Sequence, residues 1–184
     1  SGTSVDAIDI VAVEIFDDSI FFYDAFSFTF ETTLRKEILE LSRNSLELSN
    51  SELKLIDKKL AHAYGKAINE FIHISKVNKN DIVAVGLHGQ TIFHKPPDSI
   101  QLIDVEPITN TFDCVVLTDP RRQDLLLGGQ GAPITPLADW VMFRSDDSST
   151  AIVNLGGFCN ITILPAGSTP KEIRGFDVCC CNLL

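Results

Sequence analysis

The stretch DIVAVGLHGQT, residues 81–91, decides the fold class of this chain. Its apolar part is continuous and is bounded by polar residues, which is typical of a strand buried on both faces of a sheet. The strand runs directly into the polar sequence His88-Gly89-Gln90-Thr91. In open α/β sheets the loops beyond the carboxyl ends of strands carry the ligands, so this junction is a candidate binding site.

The segments on both sides predict further elements of an α/β protein. Residues 6–30 alternate apolar and polar side chains, which predicts two antiparallel strands joined by a tight turn. Helical spacing predicts a short helix in residues 32–45 and a long one from Ser49 to about Ser75, with Ser49 and Glu52 in the capping-box relation. The later elements are predicted strands in residues 99–104 and 112–120, a loop at 128–133, a helix at 137–143 and a hairpin around Gly156-Gly157.

The composition is that of a folded globular protein. Of 184 residues, 45% are hydrophobic and 22% are charged, and the mean hydropathy is +0.15. The 15 basic and 25 acidic residues give a formal charge of −10, which disfavours nucleic acid and anionic membrane surfaces as partners. Because no apolar stretch approaches the roughly 20 residues of a spanning helix and no signal peptide is visible, we expect a cytoplasmic protein.

The first nine residues, SGTSVDAID, have the composition of a phosphate-binding turn. Gly2 permits close approach of the backbone, Thr3 and Ser4 supply hydroxyl donors, and Asp6 and Asp9 supply carboxylates that can help to hold Mg²⁺. An ordinary hairpin turn rich in Ser, Thr and Gly is the alternative interpretation.

Polar side chains also follow later strands. The sequence around His88 and Gln90 reads as a polar binding loop, and the spacing of its histidines fits no standard zinc pattern. Residues 119–124 would suit an anionic or hydroxyl-rich ligand, although a solvated charged turn is the alternative. Asp177 lies at a predicted strand end, where it could be a general base or a helix N-cap.

Three consecutive cysteines, Cys179 to Cys181, follow Asp177 and raise the question of a metal or redox site. Consecutive side chains point in diverging directions, so the three thiols cannot easily bind one metal ion. No metal site is therefore predicted.

Taken together and in order, these motifs resemble the anhydro-N-acetylmuramic acid kinases, a family of the actin and hexokinase ATPase superfamily. The stretches that carry the resemblance are SGTSVDAID (1–9), GLHGQTIFHKPP (86–97), QL (101–102), DPRRQDLLLGGQGAPITPLAD (119–139), NLGGFCNIT (154–162), and GFD (175–177) with Asn182.

The resemblance implies an α/β, actin-like ATPase (ribonuclease H-like) lobe with a mixed sheet flanked by helices, plus the start of a second lobe. The first lobe would comprise residues 1–145 and the second would begin at 146–184. The implied activity is ATP-dependent phosphorylation of 1,6-anhydro-N-acetylmuramic acid in peptidoglycan recycling, with water opening the anhydro bridge to give N-acetylmuramic acid 6-phosphate. ATP with Mg²⁺ would be the cofactor, the amino sugar the other small-molecule partner, and a homodimer is left open.

The resemblance also implies roles for individual residues. Asp177 would be the base that activates the attacking water. The residues expected near the sugar are His88, Gln90, Asp119, Arg121 and Asp124. The turn that binds the phosphates of ATP would be formed by Gly2, Thr3, Ser4, Val5, Asp6, Ala7, Ile8 and Asp9.

The chain departs from the family pattern at several positions. Ala7 and Ile103 replace glycines, and Pro120 replaces a phenylalanine. The three cysteines occupy the Gly-Pro-Gly positions of a tight loop in the family, and relatives are considerably longer. Two hypotheses follow: a fragment of a sugar kinase, inactive by itself, or a non-catalytic relative that binds a sugar or a partner.

Overall fold

The computed structural model describes residues 5–16, 19–43 and 49–181 of the chain. They divide into two compact units, of which the first ends at Asp119 and the second begins at Pro120. Helices are combined with both parallel and antiparallel strand pairs, so the predicted mixed α/β class is confirmed. The actin-like lobe assignment stays a prediction, as does the lobe boundary after residue 145, which lies inside the second unit.

The first unit opens with an antiparallel hairpin. Strands β1 (Ala7–Ile15) and β2 (Ile20–Thr29) pair from Ala7 opposite Thr29 to Ile15 opposite Ile20. The predicted hairpin is confirmed, and its turn residues 17–18 lie outside the described residues.

Two helices pack beside this hairpin as predicted. Helix α1 (Thr32–Arg43) buries one apolar face, and α2 (Asn50–Ile74) begins at the N-cap Ser49. The Ser49 hydroxyl and backbone N–H donate to Glu52 Oε2 over 2.6 and 2.9 Å. These hydrogen bonds lower the pKa of Glu52, and the bond from the hydroxyl has the larger effect. The predicted capping box is therefore confirmed.

The apolar faces of the hairpin and the two helices form the core of the first unit. Ile38 of α1 and Leu60 of α2 have no exposed area. Burial of a side chain of this size contributes about 1.5–3 kcal/mol to stability. The fully or largely buried members of the core are Val5, Ile8, Phe30, Leu34, Ile38, Leu41, Ile56, Leu60, Tyr64, Ala67, Leu87, Ile92, Leu102, Ile108 and Phe112.

Strand β3 (Ala84–Leu87) forms within the apolar run and pairs in parallel with β6 (Val115–Thr118). Both predicted strands are confirmed, but burial of the run on both faces is wrong. Leu87 is buried, whereas Ala84 and Gly86 on the opposite face of β3 are exposed. Because side chains alternate along a strand, only the face that carries Leu87 meets the core.

A second hairpin joins these two strands along the chain. Strand β4 (Gln90–Lys95) pairs with β5 (Asp98–Leu102), and helix α3 (Glu106–Thr109) follows. The polar loop predicted around His88 is therefore shorter than expected, since Gln90 already starts a strand. Pairing with the predicted strand β5 outweighs the polar local sequence, which by itself reads as a loop.

The second unit begins with helices that flank a glycine-rich loop. Helix α4 (Pro120–Leu126) forms where the sequence was interpreted as a binding loop or, alternatively, a solvated charged turn, and α5 (Pro136–Phe143) confirms the predicted helix. Proline at the first helical position has a φ suited to a helix and lacks the N–H that would be unpaired there. Residues 127–135 between the helices form no regular structure, as predicted.

Three antiparallel strands complete the second unit. Strands β7 (Thr150–Leu155) and β8 (Phe158–Leu164) form the predicted hairpin, and β9 (Arg174–Cys180) pairs with β8. Asp177 lies in the middle of β9, so its placement at a strand end and the N-cap alternative are both wrong. The tight loop expected at the cysteines is also wrong for Cys179 and Cys180, because extended pairing with β8 continues through them.

A buried hydrogen bond fastens α5 to this sheet. Thr162 Oγ1 in β8 donates to Asp139 Oδ2 over 2.5 Å, and both residues are buried. A Cβ on Gly175 of β9 would lie 2.3 Å from Cγ of Pro136, so β9 packs this closely against α5 only because it carries glycine there.

None of the helices in the described residues is both long enough and apolar enough to cross a membrane.

Candidate functional site

The described part of the predicted phosphate turn begins at Val5, since Gly2, Thr3 and Ser4 lie outside the described residues. Val5 has a positive φ of 53° and is almost fully buried, and Ile8 is buried as well. Their side chains belong to the core of the first unit. Val5 and Ile8 can therefore offer a nucleotide only backbone groups. The side chain of Ala7 is a methyl group, so it adds no polar contact.

The two carboxylates of this segment already have protein partners. Arg35 of α1 donates to Asp6 Oδ1 over 3.2 Å and to the carbonyl oxygen of Val5 over 3.0 Å. Asp9 Oδ1 accepts a hydrogen bond from Ser27 Oγ over 2.7 Å. Both carboxylates are exposed, and such oxygens are the ligands that Mg²⁺ prefers. The segment is thus held by α1 and β2 while its charged groups stay accessible.

Two residues predicted near the sugar, His88 and Asp119, lie at the same edge of the parallel strand pair. Leu87 of β3 pairs with Thr118 of β6, and the next residues are His88 and Asp119. Asp119 adopts a positive φ of 47°, a conformation that aspartate tolerates better than most residues. Both polar residues therefore follow the carboxyl ends of strands, as predicted. The parallel register makes these two strands neighbours.

The β4–β5 hairpin supports His88 from one side. Gln101 Nε2 donates to the backbone oxygen of His88 over 2.8 Å, and His88 Nδ1 lies 2.9 Å from the oxygen of Gly89. The side chain of Gln90, also predicted near the sugar, is fully buried, and its Nε2 donates to the oxygen of Thr91. Gln90 therefore contributes to the interior of this hairpin.

Two buried polar atoms beside His88 were not predicted as site atoms. Thr91 and Gln101 are direct cross-strand partners. Thr91 Oγ1 and Gln101 Oε1 are buried without a hydrogen-bond partner among the described residues. Buried polar atoms of this kind are ordinarily satisfied by protein, water or ligand. A hydroxyl-rich ligand or a water could satisfy both, and the signals for them in the sequence were the stretches QT (90–91) and QL (101–102).

In the second unit, Arg121 and Asp124 both bind the backbone of Gly131 in the glycine-rich loop. Arg121 Nη1 donates to the oxygen of Gly131 over 2.7 Å, and the N–H of Gly131 donates to Asp124 Oδ2 over 2.6 Å. A Cβ on Gly129 would lie 2.2 Å from Asp124 Oδ2, so a larger residue there would have to displace the Asp124 carboxylate. The two side chains therefore hold the loop in place, and their direct contact with a sugar stays a prediction.

Asp177 lies opposite Asn160 in the β8–β9 ladder, and its side chain is exposed. Pairing with β8 fixes the backbone at Asp177, and a general base must lie within hydrogen-bonding reach of the proton that it accepts. Beyond it along β9, the thiols of Cys179 and Cys181 lie near that of Cys159 in β8. Burial raises the pKa of the Cys159 thiol, and the two neighbouring thiols raise it further.

Within residues 5–16, 19–43 and 49–181, no group of three or more His, Cys, Asp or Glu side chains is arranged to hold a metal ion.

Comparison with known proteins places these features in a family. The family described as "Anhydro-N-acetylmuramic acid kinase" matches residues 1–184. The chain belongs to the anhydro-N-acetylmuramic acid kinase family. The resemblance inferred from the motifs is thereby confirmed.

Individual members of the family align with nearly all of the chain. A protein named anhydro-N-acetylmuramic acid kinase from Sulfurimonas denitrificans is 36% identical over 188 residues, which cover 100% of this chain and 49% of the relative. Relatives of the same name from Sulfurovum sp. and Acinetobacter baylyi are 35% and 34% identical and cover 96% and 100% of this chain. The chain spans about half the length of these curated relatives.

Proposed function

We propose that the protein takes part in the reaction for which its family is named, the ATP-dependent phosphorylation of 1,6-anhydro-N-acetylmuramic acid. The observation that carries the proposal is the family match over residues 1–184. In this reaction water attacks the anomeric carbon, the bond from that carbon to the bridging oxygen breaks, and the released oxygen takes the γ-phosphoryl group of ATP. The products are ADP and N-acetylmuramic acid 6-phosphate.

Asp177 is proposed as the base in this reaction. Its carboxylate would accept a proton from the attacking water, and it is supported in that role by exposure to solvent and by pairing of its strand with β8. Positioned general bases contribute about 10²–10⁴-fold to rates. The family resemblance implies the same role for Asp177.

The remaining parts of the proposed site bind and position the reactants. The segment from Gly2 to Asp9, whose last three residues lie in β1, would hold the phosphates of ATP, with Mg²⁺ on its carboxylates. Phosphoryl transfer depends mostly on positioning and neutralisation of charge. His88 and Asp119 at the β3–β6 edge would face the sugar together with the unsatisfied atoms of Thr91 and Gln101. Arg121 and Asp124 would act through the glycine-rich loop that they hold.

The proposal includes the biological setting. A pathway of peptidoglycan recycling would supply the anhydro sugar in the cytoplasm, and the partners would be small molecules. A homodimer would not be required for the chemistry described.

The test measures conversion of the anhydro sugar by the complete product of the reading frame that encodes this chain. Mass spectrometry should show a product heavier than the substrate by one water and one phosphoryl group, with ADP formed in equal amount. Asp177→Asn should lower kcat by about 10²–10⁴-fold. Asp146→Asn, the same change in the exposed loop after α5, should leave kcat unchanged. The 184 residues assayed by themselves should transfer no phosphate.

Two results would contradict the proposal. Absence of ADP formation by the complete product, together with sugar binding, would favour a non-catalytic sugar-binding relative, the hypothesis motivated by the three cysteines near Asp177. Equal kcat values for Asp177→Asn and Asp146→Asn would remove Asp177 from the role of base.

A further inference from the structure

Three of the five cysteines lie close together on one face at the end of the β8–β9 ladder. Cys159 in β8 is the direct partner of Cys179 in β9. Cys181 follows two residues later and donates its N–H to the oxygen of Gly157 over 2.9 Å. Cys180 is paired with Phe158, and no disulfide joins any of the five. Because side chains alternate along a strand, Cys159, Cys179 and Cys181 share one face and Cys180 lies on the other.

The spacing of the pair suits a covalent bond. Residues directly opposite each other in an antiparallel ladder have Cα atoms about 4.5–5.5 Å apart. Disulfides join cysteines whose Cα atoms are about 4.4–6.8 Å apart. Cys159 and Cys179 therefore need no change of strand register to form one. A metal is a poorer interpretation of the same thiols, because no three side chains of the described residues have a metal-holding arrangement.

The two thiols differ in access to solvent. Cys179 is exposed and Cys159 is buried, so a reagent in solution meets Cys179 first. Since reaction requires the thiolate and access to it, Cys179 is the entry point and Cys159 is the neighbour that completes the bond.

We propose that Cys159 and Cys179 form a reversible disulfide across β8 and β9 by exchange with a small-molecule disulfide. The thiolate of Cys179, having released its proton, attacks one sulfur of the reagent, so a mixed disulfide forms and one small thiol leaves. The Cys159 thiol then loses its proton and attacks Sγ of Cys179, the mixed disulfide breaks, and the small thiolate that leaves takes up a proton to give a second small thiol. Two protein thiols are oxidised and one small disulfide is reduced to two thiols.

The bond would tie together the strands that carry Asn160 and Asp177. It would do so whether or not the protein is a kinase, because the exchange needs neither ATP nor sugar. The inference is thus independent of the proposed function, and failure of one leaves the other standing.

The experiment incubates the 184-residue chain with excess glutathione disulfide, blocks remaining thiols by alkylation and digests the chain with trypsin. Cleavage after Arg144, Lys171 and Arg174 places Cys159 in peptide 145–171 and the three consecutive cysteines in peptide 175–184. The expected result is a linked pair of these two peptides from a monomeric chain lighter by two hydrogens. Fragmentation should locate the bond at Cys179, and dithiothreitol should separate the peptides.

Two single substitutions sharpen the assignment. Cys179→Ser should remove the linked pair, whereas the matched control Cys180→Ser should retain it at the level of the unchanged chain. Both side chains are exposed, so neither substitution disturbs the core. Because the readout is a covalent link, it does not depend on enzymatic activity.

Several outcomes would overturn the proposal. They are persistence of glutathione adducts without a peptide link, a disulfide confined to peptide 175–184, a link between two chains, and a link that survives Cys179→Ser but disappears in Cys180→Ser.

Discussion

Replacement of Gly89 by alanine tests the structure around the β3–β4 junction. Gly89 has a φ of 74°, and a Cβ there would lie 2.0 Å from Ile103 Cγ1 and 2.6 Å from the backbone oxygen of Leu102. A non-glycine residue in the left-handed region costs about 1–2 kcal/mol. Overpacking of this kind costs about 1–3 kcal/mol more. Gly89→Ala should therefore destabilise the first unit by about 2–5 kcal/mol, a large part of the 5–15 kcal/mol typical of a domain.

The matched control is Gly86→Ala, three residues earlier. A Cβ at Gly86 meets no atom within 4 Å, so its effect should stay within about 0.5 kcal/mol. Urea unfolding followed by far-ultraviolet circular dichroism compares the free energies of unfolding of the two variants and the unchanged chain. Equal midpoints for Gly89→Ala and Gly86→Ala would refute the turn geometry that places His88 at the edge of the sheet.

Two further predictions concern hydrogen bonds at Asp139 and Glu52. Thr162→Val removes the donor to the buried carboxylate of Asp139, and hydrogen bonds to charged groups contribute about 1.5–3 kcal/mol. The second unit should lose that much stability, measured through the fluorescence of Trp140. At Glu52 the lowered pKa means that the ionised carboxylate stabilises the folded state above its ordinary pKa of 4.5, and that this contribution is lost as pH falls through the folded pKa. Urea midpoints of the unchanged chain should exceed those of Glu52→Gln at neutral pH and converge with them in acid.

Each of these predictions has its own control. Thr150→Val makes the same chemical change at a half-buried threonine of β7 and should cost less than Thr162→Val. If the two cost the same, the bond to Asp139 contributes nothing specific. For Glu52, the pH-dependent difference should shrink in a Ser49→Ala background, because the Ser49 hydroxyl is the largest cause of the lowered pKa. An undiminished difference there would assign the effect to another group.

Local patterns were sufficient for much of the fold. The capping box at Ser49 and the helical spacing that follows it predict α2, because both signals act within one or two turns of the chain. The β7–β8 hairpin around Gly156-Gly157 was predicted for the same reason, since its strands are joined by a short turn. The six motifs, in their order along the chain from residues 1–9 to 175–177, were likewise sufficient to indicate the family.

Only the tertiary structure decided which residues meet across long separations. Whether Gln90 is solvated or buried depends on the pairing of β4 with β5, which its polar local sequence does not reveal. Arg121 and Asp124 bind Gly131 because a loop folds back onto α4. These contacts depend on distant segments, so they are absent from any short window of sequence.

Residues 177–181 show most clearly what the sequence determined and what the folded structure added. By itself the sequence determined that three cysteines follow Asp177 and that consecutive side chains diverge. The tertiary structure decided that the segment is a strand and that Cys179, not Cys180, lies opposite Cys159. The physical reason is register: a shift of one residue in the β8–β9 pairing would exchange the faces of the strand, and only the folded ladder sets it.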